Sequence, residues 1–281
     1  MIISITLGLL AALCWGIHDI CVRYVSQRTG IFPAIFSVLT FGALILAPLC
    51  LYFGNWEDLT GSAIGYSIVS GTFFTLASVG LYKAFAIGPV CLVAPIVGSY
   101  PILSVGLVIW HGGTISLIQM LAVLTIITGI AIVAQADKKS STDDRNYAIF
   151  WAICSAIGFF SSFAFGQSAA ALGAELPVIW LTRLAGILAL SCCAVPWRVN
   201  LRPKREQIVI LAAMGLLDAV ALAAVIYAGS QDFSVFASVT ASIFGLVTII
   251  LAWLFLNEKM TIVQWIGIFI VFAAIAILTI K

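Results

Sequence analysis

The chain has 281 residues, of which 63% are hydrophobic and 9% charged, with a formal net charge of +2. Apolar runs too long for the core helices of a water-soluble domain recur from end to end, so this is an integral membrane protein. There is no basic tail or Lys/Arg block of the kind that binds nucleic acid.

Met1-Ile2-Ile3-Ser4-Ile5 lacks the basic start of a cleavable signal and leads straight into the first apolar span. Cutting at polar and turn-forming residues gives ten spans, at 2–24, 33–53, 62–86, 90–110, 115–135, 147–172, 176–196, 207–229, 232–256 and 262–280. Each is close to the ~20 residues that a bilayer demands of a helix. Gln27-Arg28-Thr29-Gly30, Asn55-Trp56-Glu57-Asp58, Gly88-Pro89 and His111-Gly112-Gly113 interrupt the first half, and 197–206 is the most basic loop of the second. The longest polar stretch, 137–146, lies mid-chain, where a linker between two units belongs.

The two units, 1–136 and 147–281, are related by sequence. Gln119 and Gln264 stand 145 positions apart, as do Tyr82 and Tyr227, and Ser116 and Thr261. A shift of 144 pairs Pro33 with Pro177 and Gly42 with Gly186, and one of 140 pairs Cys14 with Cys154 and Gln27 with Gln167. A unit of five spans leaves the membrane on the side opposite its entry, so the second copy must be inserted upside down. The expected fold is all-α: ten transmembrane helices as two inverted five-helix repeats, with a site near the midplane and one half rocking against the other. Its cavity is expected from the first, third and fourth spans and their mates, the sixth, eighth and ninth. Among the loops, only the odd-numbered ones carry Lys or Arg, which puts those loops in the cytoplasm and both termini outside.

Ionisable side chains at bilayer depth cost about 2.5–3.5 kcal/mol each, so each needs a partner, a cavity or a task. In the first span Trp15, Asp19 and Arg23 recur every four residues on one helix face, beside His18. Either Asp19 pairs with Arg23 and fixes packing, or Trp15, His18 and Asp19 line a translocation path, with Trp15 as an apolar or stacking wall and His18 or Asp19 exchanging a proton. Asp218 sits deep in the eighth span and Arg183 mid-span in the seventh. They either neutralise each other, or Arg183 binds a substrate carboxylate. Tyr82, Lys83 and Tyr227 mark helix ends and are either interfacial or cavity-facing. Pro89, Pro95 and Pro101 at six-residue steps either shape the fourth span or, with Ser99 and Tyr100, line a gate.

Seven cysteines without a Cys-x-x-Cys pair, and two histidines, argue against a zinc site. No hydrolase, metalloprotease or phosphate-loop motif is visible, so no cofactor, metal or catalytic residue is expected, and energy must come from gradients.

Ten spans, the duplication and the helix ending Phe255-Leu256-Asn257-Glu258-Lys259-Met260-Thr261-x-x-Gln264-x-x-Gly267 resemble the drug/metabolite transporter superfamily, in particular its EamA-type members. Trp15-Gly16 fits the same pattern. The resemblance implies a secondary transporter of a bacterial inner membrane, moving an amino acid or related small metabolite by alternating access, with protons as candidate coupling ions. The partners it implies are substrate and lipid, with a monomer or weak homodimer as the assembly. Thr261 is expected to cap the last helix, with Glu258 near that helix's positive end. The first repeat departs here, with Gly113 opposite Glu258. The competing readings are an intramembrane enzyme acting on lipid through His18 and Asp19, and a membrane scaffold or sensor.

Overall fold

The computed structural model describes residues 2–28, 30–110, 112, 114–136, 141–194, 196, 198–231 and 234–278. His111, Gly113, Lys138, Lys139, Asp232 and Lys281 lie outside the described residues. Among the described residues every regular element is helical.

The first repeat contains α1 (Ile2–Ser26), α2 (Ile31–Phe53), α3 (Gly61–Ile87), α4 (Val90–Gly98), α5 (Pro101–Trp110) and α6 (Leu117–Ala136). The second contains α7 (Thr142–Ala170), α8 (Glu175–Ala194), α9 (Ile208–Tyr227), α10 (Ser234–Ala241), α11 (Phe244–Phe255) and α12 (Ile262–Ile277). Nine described segments are long and apolar enough to cross a membrane, and α12 adds a shorter apolar helix. Leucines and isoleucines such as Leu13, Leu44, Leu121, Ile127 and Leu188 are exposed on the outer surface, as side chains facing lipid must be.

Two expected spans are each broken into two helices, at related places in the two repeats. The fourth breaks between α4 and α5 at Ser99 and Tyr100, just before Pro101, whose missing N–H suits the first position of a new helix. The ninth breaks between α10 and α11 at Ser242 and Ile243, without a proline. α7 also starts earlier than expected and takes in 142–146 of the polar linker. Ser141 caps it by accepting from the Asp144 amide at 3.1 Å, and Asp143 and Asp144 favour its positive end.

The packing obeys the inverted two-fold. α3 packs on α7 and α8, and its counterpart α9 packs on α1 and α2; α1 packs on α10 and α11, and α7 packs on α4. Most of these contacts join one repeat to the other, so the halves interlock. By contact the helices around the centre group into two mixed bundles. One is α1, α9, α10 and α11; the other is α3, α4 and α7.

Small residues allow this closeness. A Cβ on Gly158 would stand 2.8 Å from the Ala77 Cβ, and one on Gly80 would stand 2.8 Å from the Trp151 carbonyl. Two turns along α3 beyond the Gly158 crossing the Ser70 hydroxyl donates to the Ser162 carbonyl at 2.7 Å. Backbone approach and interhelical hydrogen bonds hold helices together where lipid offers no hydrophobic drive.

Candidate functional site

The two bundles meet along a cleft midway along α1 and α9. One wall carries Trp15, His18 and Asp19 of α1, Asp218 of α9 and Phe244 of α11; the other carries Phe74, Ser78 and Leu81 of α3 with Phe159 and Phe163 of α7. The free space between the walls admits about one water molecule. Trp15 fills much of the gap, stacked on Phe163 with ring centroids 5.2 Å apart and edge-on to Phe244 at 6.1 Å.

Asp218 is the anchor of the first wall. Its Oδ1 accepts from Trp15 Nε1 at 3.0 Å, and its Oδ2 accepts from Arg183 Nη1 at 2.6 Å. The arginine comes from α8, is 1% exposed, and lies with its guanidinium 5.7 Å from the Phe74 ring centre. Gly42 makes room for it: a Cβ there would be 3.0 Å from Arg183 Nη1. Of the two alternatives for Arg183 and Asp218, the structure shows the pair, and it leaves Arg183 Nε and Nη2 without partners.

One helical turn further along α1, the His18 imidazole Nδ1 and Asp19 Oδ1 are 3.1 Å apart, both side chains deeply buried. His18 Nε2 and Asp19 Oδ2 have no partner, nor does the hydroxyl of Tyr82, whose ring meets His18 edge-on. Asp19 does not pair with Arg23, as the four-residue spacing had suggested. A further turn along α1, Arg23 Nε lies 3.3 Å from Glu258 Oε1, and its guanidinium also donates to the Phe85 carbonyl at the end of α3.

Glu258 is corrected in the same way. Asn257 takes the left-handed conformation (φ 53°) at the end of α11, which turns the chain back. The Glu258 carboxylate accepts from the Val90 amide at 3.0 Å. α4 needs this, because the residue before its first turn is Pro89, which has no side-chain acceptor. α12 is capped without Glu258, by reciprocal bonds between Thr261 and Gln264. Ser116 and Gln119 exchange the same two bonds before α6, at 3.0 and 3.2 Å, so this cap is complete in both repeats.

Arg23 and Glu258 thus clasp the α3–α4 turn of the opposite bundle, at the end that carries the basic loops. At the other end Tyr100 donates from the α4–α5 break to the Ser238 carbonyl of α10. Gln167 of α7 donates to the Val225 carbonyl at 3.1 Å and to the Ser238 hydroxyl at 3.0 Å. Gln167 is therefore a bridge between the bundles.

Of the expected site residues, the structure gathers Trp15, His18, Asp19, Tyr82, Arg183 and Asp218 around the cleft, and places Tyr100 at the edge of its aromatic wall, 5.3 Å from Phe163. Lys83 and Tyr227 stand apart. The Lys83 ammonium lies 3.9 Å over the Trp151 ring where α3 crosses α7, and Tyr227 is 41% exposed at the end of α9. The aromatic wall itself, Phe74, Phe159 and Phe163, was not anticipated. With 18 phenylalanines in the chain, the one hint was the mid-span run Gly158-Phe159-Phe160-Ser161-Ser162-Phe163, where small residues alternate with rings.

A family model for the EamA-like transporter family matches this chain twice, over residues 2–135 and 146–280. The chain belongs to the EamA-like transporter family. The double match shows the duplication directly, and each matched stretch contains one five-span unit. An uncharacterised protein of Methanocaldococcus jannaschii is 27% identical over 132 residues, a match that takes up 96% of that protein and 47% of this chain. One solved crystal structure of a protein superposes with a TM-score of 0.71 over 98% of this chain and 96% of that one at 14% identity, which is a likeness of fold.

Proposed function

We propose that this EamA-like transporter is a secondary carrier that moves a small metabolite, an amino acid or a related compound, across a bacterial inner membrane by alternating access. The observation that carries the reading is the cleft between the two mixed bundles, with closures at both ends. Arg23 and Glu258 clasp the end with the basic loops, which the positive-inside rule assigns to the cytoplasm, and Tyr100 and Gln167 bridge the other. Two walls that part at one end while held at the other make a path with a central site and no open channel. Broken helices at related positions in both repeats provide the hinges that such parting requires.

Protons are the proposed coupling ion, carried by His18, Asp19 or Asp218. Excess charge supports this: Arg183 balances Asp218, which leaves the Asp19 carboxylate beside a histidine in a membrane interior. The groups facing Asp19 are His18 and Cys21 on its own helix, Tyr82 of α3, Asp218 of α9 and Thr248 of α11. The His18 and Asp19 side chains lie at 5% and 2% exposure inside the protein, which favours a carrier over an enzyme that opens to lipid.

The test is transport by purified protein in liposomes under an imposed pH gradient. Wild type should accumulate or extrude a labelled metabolite with the gradient, and Asp19→Asn should uncouple it. Full gradient-driven transport by both Asp19→Asn and Asp218→Asn would overturn the proton assignment.

A further inference from the structure

We infer that the cleft selects a small protonated primary amine with an apolar or aromatic body, and that Asp19 is its ionic partner. The inference rests on the carrier reading and names the substrate class of the same site. It starts from which hydrogen-bonding atoms are already used. Trp15 Nε1 is committed to Asp218, and the Ser78 hydroxyl donates to the Phe74 carbonyl at 2.8 Å. Thr248 approaches the Asp19 carboxylate from α11, but its hydroxyl donates to the Phe244 carbonyl at 2.8 Å.

Two cleft-lining atoms remain without partners, Asp19 Oδ2 and His18 Nε2, in side chains 1% and 4% exposed at the residue level. When a neutral His18 donates through Nδ1 to Asp19, its Nε2 is an acceptor; in that protonation state both free atoms accept and the Asp19 charge is unbalanced. A buried site with two free acceptors and one unbalanced carboxylate calls for a cation with several N–H donors. A primary ammonium meets all three demands. The free space, about that of one water, is also about the size of an –NH3+ group.

The rest of the lining describes the body of the ligand. Trp15, Phe74, Phe159, Phe163 and Phe244 supply five aromatic rings, whose negative faces attract a cation and whose area favours an apolar tail. Among the lining residues no free donor meets a carboxylate on the same ligand, and the unpartnered Tyr82 hydroxyl lies outside the lining. Arg183 does have unpaired Nε and Nη2, but it lies behind Asp218 and Phe74 and is not part of the lining. Amines are therefore favoured over the amino acids from which they differ by a carboxylate.

The experiment uses the purified full chain and four probes with one phenyl group: phenethylamine, phenylalanine, 3-phenylpropionate and trimethylphenylammonium. Saturating phenethylamine should raise Tm by about 5 °C, with little shift for the other three. The trimethylated cation isolates the need for N–H donors from the need for charge. Asp19→Asn should weaken phenethylamine binding at least about tenfold, and Asp19→Glu, which keeps the carboxylate, should retain most of it. A larger response to phenylalanine or 3-phenylpropionate, no response to phenethylamine, or undiminished binding by a folded Asp19→Asn protein would overturn the inference. If Asp19→Asn does not fold, the probe ranking on wild type decides. Counterflow of labelled phenethylamine in liposomes separates the two readings. Binding without exchange would sink the carrier and leave the amine site, whereas exchange of phenylalanine without amine binding would do the reverse.

Discussion

The two walls of the cleft differ in what holds them. The wall of α1, α9 and α11 is built on charge: Asp218 is gripped by Trp15 and Arg183, and Asp19 stands beside His18. The wall of α3 and α7 is built on contact, with Phe74 edge-on to Phe159 at 5.6 Å, Phe159 stacked on Phe163 at 5.6 Å, and glycines letting the two backbones touch. The repeat that relates them makes the contrast sharper. The shift of 140 that pairs Cys14 with Cys154 also sets Asp19 opposite Phe159 and Arg23 opposite Phe163. One ancestral face has become the acid side in one half and the aromatic side in the other, and recognition comes from their difference.

The largest effect should come from the acid wall. Asp218→Ala leaves Arg183 buried with its charge unbalanced and should lower stability by about 3–5 kcal/mol, read as unfolding in detergent. Replacing both partners with Leu and Met should recover much of it. An unchanged Tm for the single variant would show that the pair is not what holds this wall.

The aromatic wall should respond to volume. Gly158→Ala puts a methyl about a bond length too close to Ala77 and should cost about 1–3 kcal/mol. Gly65→Ala, on the same helix α3 as Ala77 but with nothing within 4 Å, should be neutral or gain up to about 1 kcal/mol. Equal effects at the two positions would deny the close α3–α7 crossing.

The closures differ as the walls do, ionic at one end and neutral at the other. Glu258→Gln should loosen the ionic clasp by about 1 kcal/mol, so that a probe added on the side of the basic loops labels Cys21 roughly fivefold faster in a background with that cysteine alone. Tyr100→Phe should leave that rate unchanged and raise access from the opposite side. The smallest effects belong to what the two halves still share. Thr261→Ala and Ser116→Ala should each cost about 1 kcal/mol or less, and by similar amounts. A large gap between them would mean that only one cap still matters.

Much of this was legible in the sequence, for reasons that particular residues make plain. Span lengths, the duplication and the Thr261 cap follow from hydropathy, spacing and local hydrogen bonding, and Pro101, read as shaping the fourth span or lining a gate, stands where that span breaks. The break at Ser242 and Ile243 has no such residue and could not be read. Trp15, His18, Asp19, Arg183 and Asp218 stood out because charge and indole N–H are rare in lipid. Their partners did not: spacing along α1 offered Asp19 to Arg23, but the carboxylate that Arg23 uses is 235 positions away, at Glu258. The phenylalanines of the cleft could not be told from those facing lipid, because lipid and protein interior make the same demand of an apolar ring.

The cap on α4 has a consequence for assembly. The Val90 amide is satisfied by a carboxylate 168 residues further along the chain. Helices enter the membrane in the order of synthesis, so the first turn of α4 stays solvated or frayed until the last helical hairpin has been inserted. A chain that ended before Glu258 would leave both that amide and Arg23 without their partner. The final hairpin therefore acts as a completion signal, joining the finished second half to the turn where the first half would otherwise remain open.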